Sequence, residues 1–293
     1  MDRVRVNPYH WLLEISRFPD ALDQRGEPGM RQLTCLLLCL GLVSVAARAD
    51  DKDKDTGVQK TAEKTAEKTA GLTDPVAILK KADAAAKAVK AVKYDVVVEG
   101  TGAAEQYVGK TKATIILSGA TPSGPEKYLI DARVIAPGST DASHITGGSD
   151  SDVFFVVRHA QKMAYEDIDP AVMGSSRRGL MGGIMFEFVA AEPFGDEING
   201  KSQKLAGSKT IGGVDCYEIH VVYAVERAPE AIWYFSKKDF LPRGRIDKYK
   251  LGDDREGTVR KMVSNLVVNP KLDKDVFKLK LPKGYTKTDD FAP

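Results

Sequence analysis

The last third of the chain alternates strand-like segments with very short turns, and this spacing limits the fold more than any other feature. The turns are Gly212-Gly213, Lys237-Lys238-Asp239 and Gly252-Asp253-Asp254. The segments around them, 203–211, 214–223, 231–235, 243–251 and 258–268, are rich in β-branched and aromatic residues. Connections this short join antiparallel neighbours, because a parallel return needs a crossover of about a dozen residues. The sequence therefore predicts an antiparallel meander.

The middle of the chain continues the same pattern in a less regular form. Segments 94–98, 113–117, 128–135 and 153–157 also have strand composition, and we expect residues 137–152 to form a loop. A sheet with this many strands does not lie flat, because strand twist curls it. We therefore expect a large curved antiparallel sheet that resembles a half-open barrel.

Two segments have helical features. Asp74 is a suitable N-cap, Pro75 suits the first helical position, and apolar residues then recur every three or four positions to about Val92. Residues 170–189 predict a second helix despite Gly182 and Gly183. The fold class that follows is α+β, with the curved sheet covered by the N-terminal helix and by a mid-chain helix rich in Met and Phe.

The N-terminal region has the layout of an export signal. Arg31 precedes an apolar run over residues 33–47, and Ala47-Arg48-Ala49 supplies small residues at the positions that signal peptidase reads. We expect residues 30–49 to be a signal peptide cleaved near Ala49, which predicts a periplasmic protein. Residues 1–49 contain six arginines and no lysine, unlike the rest of the chain. This difference indicates that Met30 is the true start and that residues 1–29 are an upstream extension; the alternative is a long n-region of the signal peptide.

The chain after the signal divides into a tether and a folded domain. Residues 50–72 begin with Asp-Lys alternation and then repeat Lys-Thr-Ala-Glu, which places Lys60, Lys64 and Lys68 at repulsive helical spacing. The tract has no apolar face, so we expect a disordered low-complexity linker. The folded domain is then residues 73–293.

Charge and cysteine content exclude several classes of protein. After Ala49 the chain has 37 basic and 36 acidic residues, a balance that gives no electrostatic basis for nucleic-acid binding. Cys216 is the one cysteine after the signal, so no disulfide can form within the mature chain, and we expect a buried thiol. We expect a monomer held together by its apolar core.

No catalytic or metal-binding motif is present. His144, His159 and His220 lack the His-x-x-x-His or His-Glu spacing of zinc sites, and neither a nucleophile elbow nor a phosphate-binding loop occurs. We therefore expect that the protein is not an enzyme and that it has no cofactor and no metal. A hydrolase stays open as a remote alternative.

Strand alternation selects one apolar face of the sheet. Tyr217, Ile219 and Val221 share a face, and Trp233 and Phe235 share the corresponding face of the next segment. Such a face can be a core packed under helices, or it can line a cavity. The methionines and aromatic residues of the second predicted helix could cover it, because methionine adapts to irregular apolar partners.

Three stretches resemble a known family in their order and spacing. They are Ile232-Trp233-Tyr234-Phe235 with the following Lys237-Lys238-Asp239 and Leu241-Pro242-Arg243, the turn and strand Gly212 to Ile219, and the closing Asp275-Val276-Phe277 with Leu281-Pro282-Lys283-Gly284-Tyr285. Together they resemble the LolA/LolB-like periplasmic lipoprotein carriers and their outer-membrane lipoprotein-sorting relatives. The resemblance extends over residues 74–285.

The resemblance implies a half-open barrel around helices, with an apolar cavity that holds lipid or lipoprotein acyl chains. The candidate lipid-binding residues are Tyr217, Ile219, Val221, Trp233, Phe235, Met181, Met185 and Phe186. The helix over residues 173–188 could be a mobile lid or a fixed plug. The alternative is an envelope interaction or sensor module that binds a peptide or a membrane-associated protein with the same face.

Overall fold

A computed structural model describes residues 72–121, 124–166, 180–223, 229–250 and 255–289 of the chain. The predicted upstream extension and signal peptide, and the linker up to residue 71, lie outside these residues. Within the described ranges, no helix has both the length and the apolar character needed to cross a membrane.

Twelve strands form one sheet in the part of the chain that the structure describes. Helix α1 (Pro75–Lys87) comes first. It is followed by β1 (Ala91–Gly102), β2 (Lys110–Thr121), β3 (Gly124–Ile135), β4 (Ala142–Ser149), β5 (Phe154–Arg158) and β6 (Met163–Glu166). A 3-10 helix (Phe186–Phe188) and the short helix α2 (Gly195–Ile198) precede β7 (Ser202–Ile211), β8 (Val214–Val222), β9 (Glu230–Ser236), β10 (Pro242–Lys250), β11 (Glu256–Val268) and β12 (Thr286–Thr288).

The strand order is β12-β6-β5-β4-β3-β2-β1-β11-β10-β9-β8-β7. In this spatial order, every pair of neighbours between β6 and β7 is antiparallel, as the short connections predict for strands that follow each other in the chain. The pairing of β1 with β11 joins the two halves of the sheet. β12 adds to β6 in parallel, with Thr286 opposite Met163. The expected large antiparallel sheet is therefore present, and it is open in the sense that β12 and β7 are its two edges.

Helix α1 begins where the sequence predicts but ends earlier. The Asp74 carboxylate accepts a hydrogen bond from the Val76 amide, and Pro75 occupies the first turn. The helix ends at Lys87 rather than near Val92, because Ala91 and Val92 pair with β2 and Val92 also pairs with β11. Strand pairing on both sides therefore outweighs the helical periodicity of this stretch.

The predicted loop over residues 137–152 is wrong in its second half, which forms β4. Gly147 and Gly148 weaken the strand pattern in the sequence of this segment, yet the same two residues allow the strand to pack closely against its neighbours. A Cβ on Gly147 would lie 2.1 Å from Leu180 Cδ2, and one on Gly148 would lie 2.6 Å from Phe155 Cζ. Glycine is therefore present at these positions because other parts of the chain approach the strand closely.

The structure does not confirm a continuous helix over residues 170–189. Residues 167–179, and with them Met173, lie outside the described residues. Leu180 and Met181 are helical, residues 182–185 form a turn and extended chain, and Phe186–Phe188 is a 3-10 helix. Two adjacent glycines account for the break, because both destabilise a helix and a Cβ on Gly183 would lie only 3.0 Å from Ile115.

One face of the sheet carries the main apolar core. Ile78, Leu79, Ala82 and Ala86 of α1 are buried in the same cluster as apolar side chains from most strands of the sheet. The opposite face carries two smaller clusters, one around Phe155 and Val157 and one around Cys216 and Tyr234. The main core face therefore contains the candidate site, and we call it the apolar face.

Candidate functional site

The five candidate residues on β8 and β9 converge on the apolar face. Tyr217, Ile219, Val221, Trp233 and Phe235 all belong to the main core cluster, and Ile219, Val221, Trp233 and Phe235 have no exposed surface. In register, Tyr217 lies opposite Phe235 and Ile219 lies opposite Trp233. A continuous aromatic and β-branched surface results, and in this conformation only Tyr217 keeps a small exposed area.

Residues 180–198, here called the covering segment, pack on the apolar face. Its buried side chains in the main cluster are Leu180, Ile184, Met185, Phe188, Val189 and Phe194. The candidates Met181 and Phe186 are half-buried and pack against the same cluster. All eight sequence-predicted residues therefore belong to, or pack against, the main core cluster. The printed contacts place Met185 beside Tyr94 of β1 and Phe186 beside Gly124 of β3, whereas Phe194 is the residue of the covering segment that contacts Trp233 and Phe235.

Phe194 is the central apolar contact of the covering segment, and the sequence did not single it out. Its ring meets the rings of Trp233 and Phe235 edge-on, with centroids 5.3 and 5.0 Å apart. Edge-to-face arrangements of this kind add stability beyond the buried area. A phenylalanine just before a four-residue helix has no periodic neighbours in sequence, so no local pattern marks it.

Polar contacts hold the backbone of the covering segment on the sheet. The Met185 amide donates a hydrogen bond of 2.9 Å to the Tyr94 hydroxyl oxygen, and Tyr94 in turn donates to the Gly183 carbonyl at 3.4 Å. The Lys261 ammonium donates to the Ile184 carbonyl at 2.7 Å. Side chains of β1 and β11 thus bind a stretch whose backbone groups are not all paired within a helix.

A buried cluster of charged groups lies at the same contact. Glu187 and Glu197 come from the covering segment, Arg245 and Asp247 from β10, and Lys261 from β11. The guanidinium of Arg245 lies 3.3 Å from Glu187 Oε1, 3.9 Å from Glu197 Oε1 and 2.5 Å from Asp247 Oδ1. Each of these four side chains has at most 10% of its surface exposed. Charges this deeply buried are costly unless they are paired, so their positions depend on one another.

The Tyr223 hydroxyl and the Trp233 indole extend the charged cluster. The Tyr223 hydroxyl donates to Glu197 Oε1 at 2.7 Å, and Trp233 Nε1 donates to the Tyr223 oxygen at 3.1 Å. The chain of hydrogen bonds from Trp233 through Tyr223 to Glu197 therefore connects the apolar face to the covering segment.

Burial shifts the pKa values of three groups in this cluster, Glu197, Asp247 and Lys261, in the direction that favours the neutral form. Desolvation raises the pKa of Glu197 to about 7, although Arg245 and the Tyr223 hydrogen bond oppose the shift. Desolvation also raises the pKa of Asp247 and lowers the pKa of Lys261 to about 8. Glu197 and Lys261 are thus groups of this cluster whose pKa values lie near neutral pH.

Sequence reasoning missed the charged cluster because its residues look like surface residues. The β10 pattern Arg243, Arg245, Asp247, Tyr249 places charged side chains at alternate positions, which usually indicates a solvent-facing strand. The register with β9 places Arg245 opposite Trp233 and Asp247 opposite Ala231, both on the apolar face. The sequence signal that could have identified them is the predicted hairpin of these two strands. Residues directly opposite each other in a hairpin share a face, so Arg245 and Asp247 share the face of Trp233.

A separate group on the opposite face contains metal-ligand types. Asp131, His144 and His159 place their ligand atoms within 4.8 Å of one another. His144 Nε2 lies 2.7 Å from Asp131 Oδ1, and Thr146 bridges Asp131 and His159. The two imidazole rings are stacked, with centroids 3.8 Å apart and planes 12° apart. In-plane lone pairs of two stacked rings do not meet at one ion, so this arrangement supports a hydrogen-bond network rather than a metal site.

Comparison with known proteins locates similar structures at low sequence identity. No family model and no curated protein matches the chain. The structure is similar to that of the lipoprotein LppX from Mycobacterium tuberculosis, with a TM-score of 0.42 and 14% identity over 67% of this chain and 95% of that chain. LprF from Mycobacterium bovis has a TM-score of 0.43 and 13% identity over 74% of this chain and 100% of its own.

A LolA superfamily protein from Nitrosomonas europaea is also similar, with a TM-score of 0.32 and 12% identity over 71% of this chain and 99% of that chain. The function proposed below rests on the residues of this chain.

Proposed function

We propose that this protein binds lipid or lipoprotein acyl chains between the apolar face and the covering segment. The sheet would act as a half-barrel whose apolar face receives the chains when the covering segment moves away. The export-signal layout of residues 30–49 supports a periplasmic location for this carrier, and the proposal includes no catalytic step. The proposal treats the covering segment as a lid that also fills the empty site.

The proposal depends on one observation: the apolar face is regular in structure, whereas the covering segment that packs on it is irregular. The apolar face is built on long paired strands, whereas the covering segment contains a three-residue 3-10 helix and a four-residue α-helix. A short irregular segment loses little hydrogen bonding of its own when it moves, whereas the sheet stays intact. The face it leaves is wide, apolar and lined by Trp233 and Phe235.

The free energies of the exchange are comparable. Each large apolar side chain that the covering segment removes from the core costs roughly 1.5–3 kcal/mol, so the six buried ones cost roughly 9–18 kcal/mol. An acyl chain of about 16 carbons gains up to about 13 kcal/mol at about 0.8 kcal/mol per buried methylene. Because these values nearly balance, the bound and empty states would both be accessible, as a carrier requires.

Trp233 provides a direct test of acyl binding. The chain has two tryptophans, Trp11 and Trp233, so a Trp11→Phe variant leaves Trp233 as the sole indole emitter. Dibromostearoyl probes quench an indole that they contact, whereas stearoyl probes of the same length do not. We expect quenching of Trp233 by the brominated chain and only a small change with the plain chain. Absence of quenching would exclude acyl binding at this face and would favour the peptide-binding or protein-binding alternative.

A second variant tests the role of the covering segment. Asp at Met181 and Phe186 places two charges against the apolar face, and an unpaired charge in hydrocarbon costs several kcal/mol. We expect Met181→Asp/Phe186→Asp to change the affinity for the acyl probe by at least about 10-fold. Val267→Asp is the matched control, because Val267 is an exposed apolar residue on β11. Circular dichroism must first show an intact sheet, and a folded double variant with wild-type affinity would separate this segment from the lipid site.

A further inference from the structure

Two cations lie side by side on the apolar face. Arg245 and Lys261 are directly opposite each other in the pairing of β10 with β11. The guanidinium of Arg245 also lies over the ring of Trp233. Cations in such surroundings are unfavourable by several kcal/mol unless anions accompany them. The apolar face therefore includes a place that requires negative charge.

Much of that negative charge comes from the covering segment. Glu187 lies 3.3 Å and Glu197 lies 3.9 Å from the Arg245 guanidinium, and Glu187 also acts electrostatically on Lys261. Asp247 is different, because it is on β10 beside Arg245 and stays with the sheet. Displacement of the covering segment would thus remove both glutamates and leave Asp247.

The charge balance of the cluster then changes in a defined way. With the covering segment in place, Glu187, Glu197 and Asp247 all lie beside the two cations. Without the covering segment, Asp247 is the one of these three acids that stays beside Arg245 and Lys261, so the two cations lose negative charge on an otherwise apolar surface. An anion placed at the Glu187 position would replace that charge.

We propose that the ligand of this site carries an anionic head, a carboxylate or a phosphate, that replaces the Glu187 carboxylate between Arg245 and Lys261. This inference rests on the proposed acyl-binding function and names the class of lipid. A guanidinium fork beside an ammonium group suits both oxyanions, because arginine binds them in a bidentate manner and lysine adds a point charge. The covering segment thus acts as an internal substitute for the ligand, with apolar side chains in place of the chain and Glu187 in place of the head.

Selectivity against neutral lipids follows from the same geometry. A neutral acyl chain would displace Glu187 and Glu197 from Arg245 and Lys261. It would bring no negative charge to replace these two carboxylates. An unbalanced buried charge disfavours that complex, so the site would reject alcohols and esters of the same chain length.

A matched pair of probes tests the proposal in the full-length Trp11→Phe chain. Dibromostearate and its methyl ester have the same chain and bromines and differ only in the charge of the head. At pH 7 we expect the acid to quench Trp233 with at least about 10-fold higher affinity than the ester, as a charged hydrogen bond implies. Inorganic phosphate should compete with the acid in the millimolar range if the site also accepts a phosphate head, and a failure to compete would restrict the head to a carboxylate.

Two variants and a control locate the effect. Lys261→Met should reduce the preference for the acid to within about 2-fold. Arg245→Met/Glu187→Leu removes one cation together with one acid, keeps the charge balance of the closed state, and should have the same effect. Arg260→Met is the control, because Arg260 is an exposed neighbour on β11 paired with Glu99, and it should leave the preference unchanged.

The outcomes separate this inference from the proposed function. Equal affinity for acid and ester, or an acid preference that both cluster variants retain, would overturn the anionic-head proposal while acyl binding stands. Failure of both probes to quench Trp233 would overturn acyl binding itself, and the head proposal with it.

Discussion

The guanidinium of Arg245 lies 4.7 Å from the centre of the Trp233 ring, and the two residues are paired in register across β9 and β10. A cation held against an indole in the interior of a sheet gains from the ring quadrupole, but far less than it loses by leaving water. Arg245 is therefore stable in this position because Asp247, Glu187 and Glu197 surround it.

Replacement of Arg245 by Met should destabilise the protein by about 3–5 kcal/mol, because three buried carboxyl groups would lose their cation. Arg260→Met removes an arginine of the same sheet whose ion pair with Glu99 is solvent-exposed, and it should cost less than about 1 kcal/mol. Urea unfolding monitored by circular dichroism measures both values. Similar small losses for the two variants would mean that the buried cluster is not balanced by Arg245.

Glu197 should make stability depend on pH near neutrality. Its pKa is raised from 4.5 to about 7 in the folded protein, so between these values the folded state keeps a proton that the unfolded state has lost. Stability therefore falls as pH rises from about 4.5 to 7. Glu197→Gln resembles the protonated acid, and its stability relative to wild type should improve by up to about 3 kcal/mol between pH 4.5 and pH 8.

The control for this titration has the opposite sign. Glu230 pairs with Lys248 at the surface, and that hydrogen bond and charge lower the pKa of Glu230. Its contribution is therefore lost as pH falls, and Glu230→Gln should make stability slightly less dependent on pH on the acid side. Thermal midpoints of the three proteins across this pH range provide the comparison. A Glu197→Gln curve parallel to wild type would show that Glu197 titrates normally.

Gly147 and Leu180 should be coupled energetically. A Cβ at Gly147 would meet Leu180 Cδ2, and Gly147→Ala should cost about 1–3 kcal/mol through overpacking. In a Leu180→Ala background the space is open, so the same change should cost little, and the double-mutant cycle should show a coupling of at least about 1 kcal/mol. Gly195→Ala, whose nearest neighbour would lie at 3.3 Å on the Glu192 side chain, should change stability by less than about 0.5 kcal/mol. If the stability changes of the two single substitutions simply add in the double variant, Leu180 of the covering segment does not contact β4 at Gly147.

Cys216 should be unreactive while the protein is folded. It is fully buried, as expected from the sequence, and burial raises the pKa of its thiol to about 11. A rise of this size lowers the thiolate fraction at neutral pH by about 100-fold, in addition to steric protection. In a Cys35→Ser/Cys39→Ser background, modification by a thiol reagent should be at least about 100-fold faster in urea than in buffer. Rapid reaction in buffer would show that the small apolar cluster around Cys216 and Tyr234 opens easily.

Local sequence patterns determined the features that depend on near neighbours along the chain. The connections between successive strands from β7 to β11 contain two to seven residues, too few for a parallel crossover, so the antiparallel hairpins follow from turn residues such as Gly212 and Gly213. The strict two-residue period of a strand likewise brings Ile219 and Trp233 to one face. The cap at Asp74 and the alternation around Cys216 are local for the same reason.

Tertiary structure alone decided the features that depend on partners distant in sequence. Gly147 and its neighbours form a strand because β3 and β5 pair on either side and Leu180 needs the space. The covering segment is irregular because its backbone binds Tyr94 and Lys261 rather than its own next turn. Glu187 and Arg245 are 58 positions apart, so the charges that decide whether Arg245 faces water or the core become neighbours only once the sheet has formed. No local pattern encodes that choice, because the free energy of a buried charge depends on which opposite charges lie within a few ångströms of it.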